Sequence, residues 1–170
     1  MSKFEKDDIL TRLISSEANF CASPKKAQNS PARACDHWPR PVLLERAAYL
    51  RKLARFSEGS ATDTLCKSDA NRIQLSVLLR SAPPVLHEDF AVILLVVEGR
   101  ATLVSGGSLL GATRTRRREL TGTAIDGGRS RELRPGEVAH ISAGTPYQIL
   151  LAGEAGFTCL VLKIKETPGQ

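Results

Sequence analysis

The sequence predicts a mainly β chain. A single antiparallel β-barrel or sandwich spans residues 60–165, preceded by one α-helix and its turn over 42–59 and an irregular N-terminal arm over 1–41. Three observations predict it. Short apolar stretches recur at near-regular spacing after residue 60, punctuated by Gly106-Gly107, Gly127-Gly128, Pro135-Gly136 and Gly144, which is the pattern of a sandwich or barrel. Residues 42–56 instead place Leu43, Ala47, Leu50, Leu53 and Ala54 at three- and four-residue steps, the period of an amphipathic helix. Residues 22–41 are rich in Ser, Pro, Ala and Lys, with prolines at 24, 31, 39 and 41, and such a stretch buries little.

Taken in order, Asp7–Ile14 can form one or two helical turns, with an aspartate near the start. Trp38, in Asp36-His37-Trp38, is either an anchor that tacks the arm to the domain or a partly exposed indole. The helix 42–56 stops at Ser57-Glu58-Gly59. Ile73, Leu75, Val77 and Leu79 alternate with other residues as in a half-buried strand, and Ala91–Val97 is an apolar strand buried on both faces. Glu98-Gly99 reads as a turn, with Arg100–Val104 returning as its hairpin partner. Further strands are expected at 119–125, 137–141, 146–152 and 157–165, with Gly127-Gly128 as a hairpin turn.

The length of 170 residues suits one domain with an arm, and 42% hydrophobic with 25% charged residues excludes disorder throughout. The longest apolar run, Phe90–Val97, is far short of the ~20 residues that cross a bilayer, so no membrane association is expected. The N-terminus lacks a basic start followed by an apolar stretch, which predicts a cytoplasmic location and free thiols at Cys21, Cys35, Cys66 and Cys159. Cys21 and Cys35 near His37 lack the second half of a zinc-finger pattern.

The net charge of +6 is concentrated. Its densest basic run, Arg114–Arg118, can bind phosphates, but no aromatic stacking platform or DNA-reading helix accompanies it. Nucleic acid is therefore not the expected partner, and the run reads as a solvated loop. No Gly-x-Ser-x-Gly elbow supports a hydrolase triad, and Gly106–Gly111 lacks the Gly-Lys-Ser/Thr ending of a phosphate loop.

Two segments resemble the motifs of the cupin superfamily. His87-Glu-Asp-Phe-Ala-Val-Ile-Leu-Leu-Val-Val-Glu98-Gly99-Arg-Ala-Thr-Leu-Val is similar to the first motif, and Pro135-Gly136-Glu-Val-Ala-His-Ile141-Ser-Ala-Gly144-Thr-Pro146-Tyr147 to the second. The resemblance covers residues 60–165. It implies a small jelly-roll β-barrel with a ligand or metal in its mouth, and commonly a homodimer, which would also cover exposed sheet edges. Of the four slots that hold metal ligands in the family, only His87 keeps one. The others carry Val85, Val92 and Tyr147, and Ser142 replaces a motif proline. One imidazole does not hold a divalent ion, so no metal and no other cofactor is expected.

What remains is an apolar pocket with one imidazole and one phenol. His87 and Tyr147 are the catalytic candidates, as proton carrier and hydrogen-bond donor. Val85, Val92 and His140 are the expected substrate-binding wall. For His140 the alternative is a wall histidine bonded to backbone. The expected function is binding of a small, mostly apolar organic molecule by a metal-independent isomerase, cyclase or lyase. The alternative is a non-catalytic ligand-binding or sensing module.

Overall fold

The computed structural model describes residues 36–116, 118–153 and 155–166. The arm as far as Cys35, with the expected turns at Asp7–Ile14 and the thiols Cys21 and Cys35, lies outside the described residues. No helix among the described residues is long and apolar enough to cross a membrane.

Helix α1 (Arg40–Phe56) starts two residues before its expected beginning. Pro39 stands extended at the cap and Pro41 falls in the first turn, where a missing N–H breaks no helical bond. At the other end the Ser57 N–H and hydroxyl both donate to the Leu53 carbonyl. Leu43, Ala47, Leu50 and Ala54 are buried, but Leu53 is exposed and belongs to the opposite face of the helix.

The strands form two main sheets. The first has the order β1 (Ser60–Lys67), β2 (Asn71–Leu78), β13 (Phe157–Lys165), β4 (Phe90–Gly99), β11 (Val138–Ile141). The second has the order β10 (Arg129–Leu133), β5 (Ala101–Ser105), β12 (Tyr147–Leu150), β3 (Val85–His87), β8 (Glu119–Thr121), β7 (Thr113–Arg116). A small ribbon pairs β6 (Ser108–Leu110) with β9 (Ala124–Asp126). All pairings are antiparallel.

Period-2 alternation sends one face of each strand into the space between the sheets. Val92, Leu94 and Val96 of β4 meet Leu103 of β5, Ile149 of β12, and Phe157, Cys159 and Val161 of β13 there. The opposite face of the first sheet takes the helix: Leu65, Leu75 and Val77 pack with Leu43, Ala47 and Leu50, and Trp38 sits half-buried against them. Ile93, Leu95 and Val97 on that face are only half-buried, so β4 is not sealed on both sides.

The expected jelly roll is present as two sheets that do not close, with β1, β11, β10 and β7 at their edges among the described residues. Two expectations change. β4 and β5 do not form a hairpin: β4 pairs with β13 and β11, whereas β5 pairs with β10 and β12. The corner at Gly99 carries the chain from one sheet to the other, with φ +81° and the Gly156 carbonyl 2.3 Å from where a Cβ would stand. Gly127-Gly128 is likewise no hairpin turn, because the flanking β9 and β10 pair with β6 and β5.

Candidate functional site

His87 ends β3, and its register partner on β8 is Glu119. Residues directly opposite on an antiparallel pair share a face, so both side chains enter the same end of the sandwich. The imidazole is 5% exposed. Its Nδ1 lies 3.3 Å from Glu119 Oε2, and the same oxygen lies 3.8 Å from Lys163 Nζ, near the end of β13. On the other side, the Tyr147 hydroxyl is 3.5 Å from His87 Nε2, with ring centroids 6.1 Å apart. Lys163, Glu119, His87 and Tyr147 therefore form a chain of polar contacts running from the rim into the core.

The charge states follow from burial. Desolvation, reinforced by the Lys163 ammonium and only partly opposed by Glu119, pulls the His87 pKa from 6.5 to about 4, so the ring is neutral at pH 7. The carboxylate beside Nδ1 favours the proton on that nitrogen and leaves Nε2 to accept from the phenol. Burial likewise raises the Tyr147 pKa and keeps its hydroxyl a donor. Desolvation lowers the Lys163 pKa; Glu119 opposes this, and Arg72 and Arg116 add to the lowering.

His87, Glu119 and Lys163 open onto a recess of about 170 Å³. Its wall is polar and cationic: Arg72, Arg116, Arg118 and Lys163 surround Glu119 and the edge of His87, with Ser68, Asn71 and Phe90 completing it. Arg118 is held by an ion pair to Asp89 and by accepting the Glu88 N–H at its carbonyl, with φ +66°. Arg114 grips Glu88 through two bonds of 3.1 and 2.7 Å. Arg114 and Arg116 lie on strand β7 rather than in the expected loop, with their side chains exposed. β7 and the turn after it clamp the segment that follows His87.

The structure brings His87 and Tyr147 together, as expected of the two motifs; the Gly144 N–H also donates to the His87 carbonyl at 2.8 Å and ties one motif to the other. The other expected pocket residues lie elsewhere than this recess. Tyr147 and Val92 are buried in the core, Val85 packs against that core, and none of the three lines the recess. These three side chains belong to the cluster packed between the two sheets. His140 is exposed: it pairs with Ile93 on the edge strand β11, where the inward phase belongs to Ile141. It neither joins the pocket nor bonds to backbone as a wall histidine.

Lys163 and Glu119 were missed by the sequence reading, although β13 carried a signal for Lys163. Phe157, Cys159 and Val161 face inward, and Lys163 is the next residue in that phase.

The site does not fit the metal that the motifs imply. Among the described residues no group of three or more His, Cys, Asp and Glu side chains is placed to hold an ion. The carboxylate oxygen nearest His87 already faces an ammonium, with guanidinium groups around it, and such a field opposes a divalent cation.

No protein-family profile and no curated protein matches the chain. Among solved structures it is similar to TT1209 from Thermus thermophilus, at 18% identity and TM-score 0.50 over 73% of this chain and 95% of that one. A cupin superfamily protein from Desulfitobacterium hafniense DCB-2 is 16% identical over 63% of this chain and 78% of that one, with TM-score 0.44. The polyketide cyclase RemF from Streptomyces resistomycificus is 22% identical over 66% and 69%, with TM-score 0.46. Likeness at this level concerns the fold alone.

Proposed function

The chain has a cupin jelly-roll fold, and on that fold we propose that it binds a small organic anion in the recess beside His87. One observation carries the reading. Arg72 and Arg116, which have no ion-pair partner among the described residues, converge with Lys163 on a recess whose single carboxylate is already engaged. Positive charge gathered in a concave, partly desolvated site attracts anions, and paired guanidinium groups suit carboxylates. A space of about 170 Å³ lies below the ~300 Å³ at which drug-sized pockets begin, so the ligand is a compact carboxylate rather than a polycyclic molecule.

The test is a titration with small mono- and dicarboxylates and with inorganic phosphate, followed by NMR and thermal unfolding. Arg72→Ala, Arg116→Ala and Lys163→Met should each weaken carboxylate binding about tenfold or more. Absence of binding at millimolar concentrations, or binding indifferent to all three variants, would overturn the reading.

The contact chain Lys163–Glu119–His87–Tyr147 supports a second reading, a metal-independent isomerase or lyase. Both imidazole nitrogens face protein groups, so Lys163 and Glu119 are the groups able to exchange a proton with a ligand, and His87 positions the carboxylate. Deuterium entering a bound carboxylate at the carbon next to its carbonyl, and lost with Lys163→Met, would mark catalysis. Binding without exchange leaves the protein a ligand-binding module.

A further inference from the structure

Helix α1 has a second apolar face. Val42, Tyr49, Leu53 and Phe56 are exposed, Tyr49 to 62% and Phe56 to 93%. At 3.6 residues per turn, Val42 and Phe56 lie within about 20° of Tyr49 around the helix, and Leu53 about 40° to one side. Glu45 and Lys52 flank the stripe about 40° and 60° to the other side, and both are exposed. The buried stripe of Leu43, Ala47, Leu50 and Ala54 points elsewhere, into the first sheet.

We propose that two copies of this chain pair through this face, with their α1 helices antiparallel and the two-fold axis passing Tyr49. The residues select that arrangement. A two-fold centred on Tyr49 sets the two tyrosines against each other and sets Val42 of each copy against Phe56 of the other. The axis keeps the Glu45–Lys52 flank on the same side in both helices. Glu45 of one copy then meets Lys52 of the other, one residue out of exact opposition, and it does so twice. Parallel pairing would instead put the Glu45–Lys52 flanks of the two copies on opposite sides of the seam, where neither Glu45 reaches a Lys52 of the other copy. Arg46 on the other flank keeps its ion pair to Asp63. The four apolar side chains expose roughly 450 Å² per copy, less than the ~800 Å² per partner of a standard stable interface. An interface of this size suits a reversible dimer, with self-association sought at roughly micromolar concentrations. This pairing does not depend on the anion site.

Sedimentation equilibrium of the full chain from 1 to 200 µM tests it. Self-association is expected across that range and should weaken at least tenfold in Tyr49→Ser and in Phe56→Ser. Because both residues are exposed in the single chain, neither change should alter the far-UV spectrum. Glu45→Lys alone and Lys52→Glu alone should each weaken the dimer about tenfold, and the double exchange should restore it to within about threefold. A chain monomeric throughout the range overturns the proposal. It assigns the face to another segment of the chain if hydroxyl-radical labelling finds the Tyr49 and Phe56 side chains protected, and to a different partner if they are open. A dimer indifferent to these changes, or a double exchange that fails to restore it, overturns the antiparallel α1 interface.

Discussion

His87 and Glu119 face each other across β3 and β8 and touch through their side chains, Nδ1 to Oε2, at 3.3 Å. The pair is unusual in its balance. The carboxylate favours a protonated imidazole, yet burial and the Lys163 ammonium outweigh it and keep the ring neutral.

That balance predicts a pH dependence of stability. The His87 pKa is about 4 folded against 6.5 unfolded, so between those values the unfolded chain holds more protons. The stabilisation is complete above pH 6.5 and is lost as the pH falls toward 4, about 3 kcal/mol over the whole span. Urea unfolding at pH 7.5 and 4.5 should show a loss of about 2–3 kcal/mol that disappears in His87→Gln. An equally steep loss in the variant would contradict the assignment.

Metal addition should leave the protein unmoved. With Val85, Val92 and Tyr147 in ligand slots and an ammonium beside Glu119, millimolar manganese, nickel or zinc should shift the thermal midpoint by no more than about 1 °C. An ion at a hundred times its dissociation constant would add about 2.7 kcal/mol and be plain in the same scan. A rise of several degrees that His87→Ala removes would reverse the conclusion.

The corner at Gly99 should tolerate no side chain. Gly99→Ala places a Cβ 2.3 Å from the Gly156 carbonyl at φ +81° and should cost at least about 3 kcal/mol. Gly144 has a similar φ of +75° but nothing within 4 Å of its Cβ position, so Gly144→Ala should cost only about 1–2 kcal/mol. Chemical denaturation of both variants separates clash from backbone strain, and equal losses would refute the distinction.

Cys159 should be chemically silent in the folded protein. It is fully buried in the core, and burial pushes its thiol up to about 12, so almost no thiolate forms at pH 8. Pulse alkylation with peptide mapping should label Cys159 only when the chain unfolds, whereas Cys66 is partly accessible and labels first. Fast labelling of Cys159 in native buffer would place it outside the core.

The helix was legible from its three- and four-residue apolar period, and β4 from an unbroken apolar run. The hairpin at Glu98-Gly99 was misread because a glycine corner within one sheet and a glycine corner between two sheets look alike in sequence. His140 was assigned to the wall without fixing the phase of its strand, although Ile141 beside it sets that phase. The pairing of Arg114 and Arg118 with Glu88 and Asp89 joins residues more than twenty positions apart, and no local pattern reports it. His87 and Tyr147 were placed together by the motifs, but whether their meeting point was cavity or core depended on how the second sheet packs against the first.

β13 lies between β2 and β4 and pairs with both along nearly its whole length. This strand thus occupies the middle of the first sheet and also delivers Phe157 to the core and Lys163 to the recess. Until β13 has paired with both neighbours, that sheet stays split in two, with apolar strand surface open to other chains. Folding intermediates that lack β13 are therefore the ones most prone to aggregate.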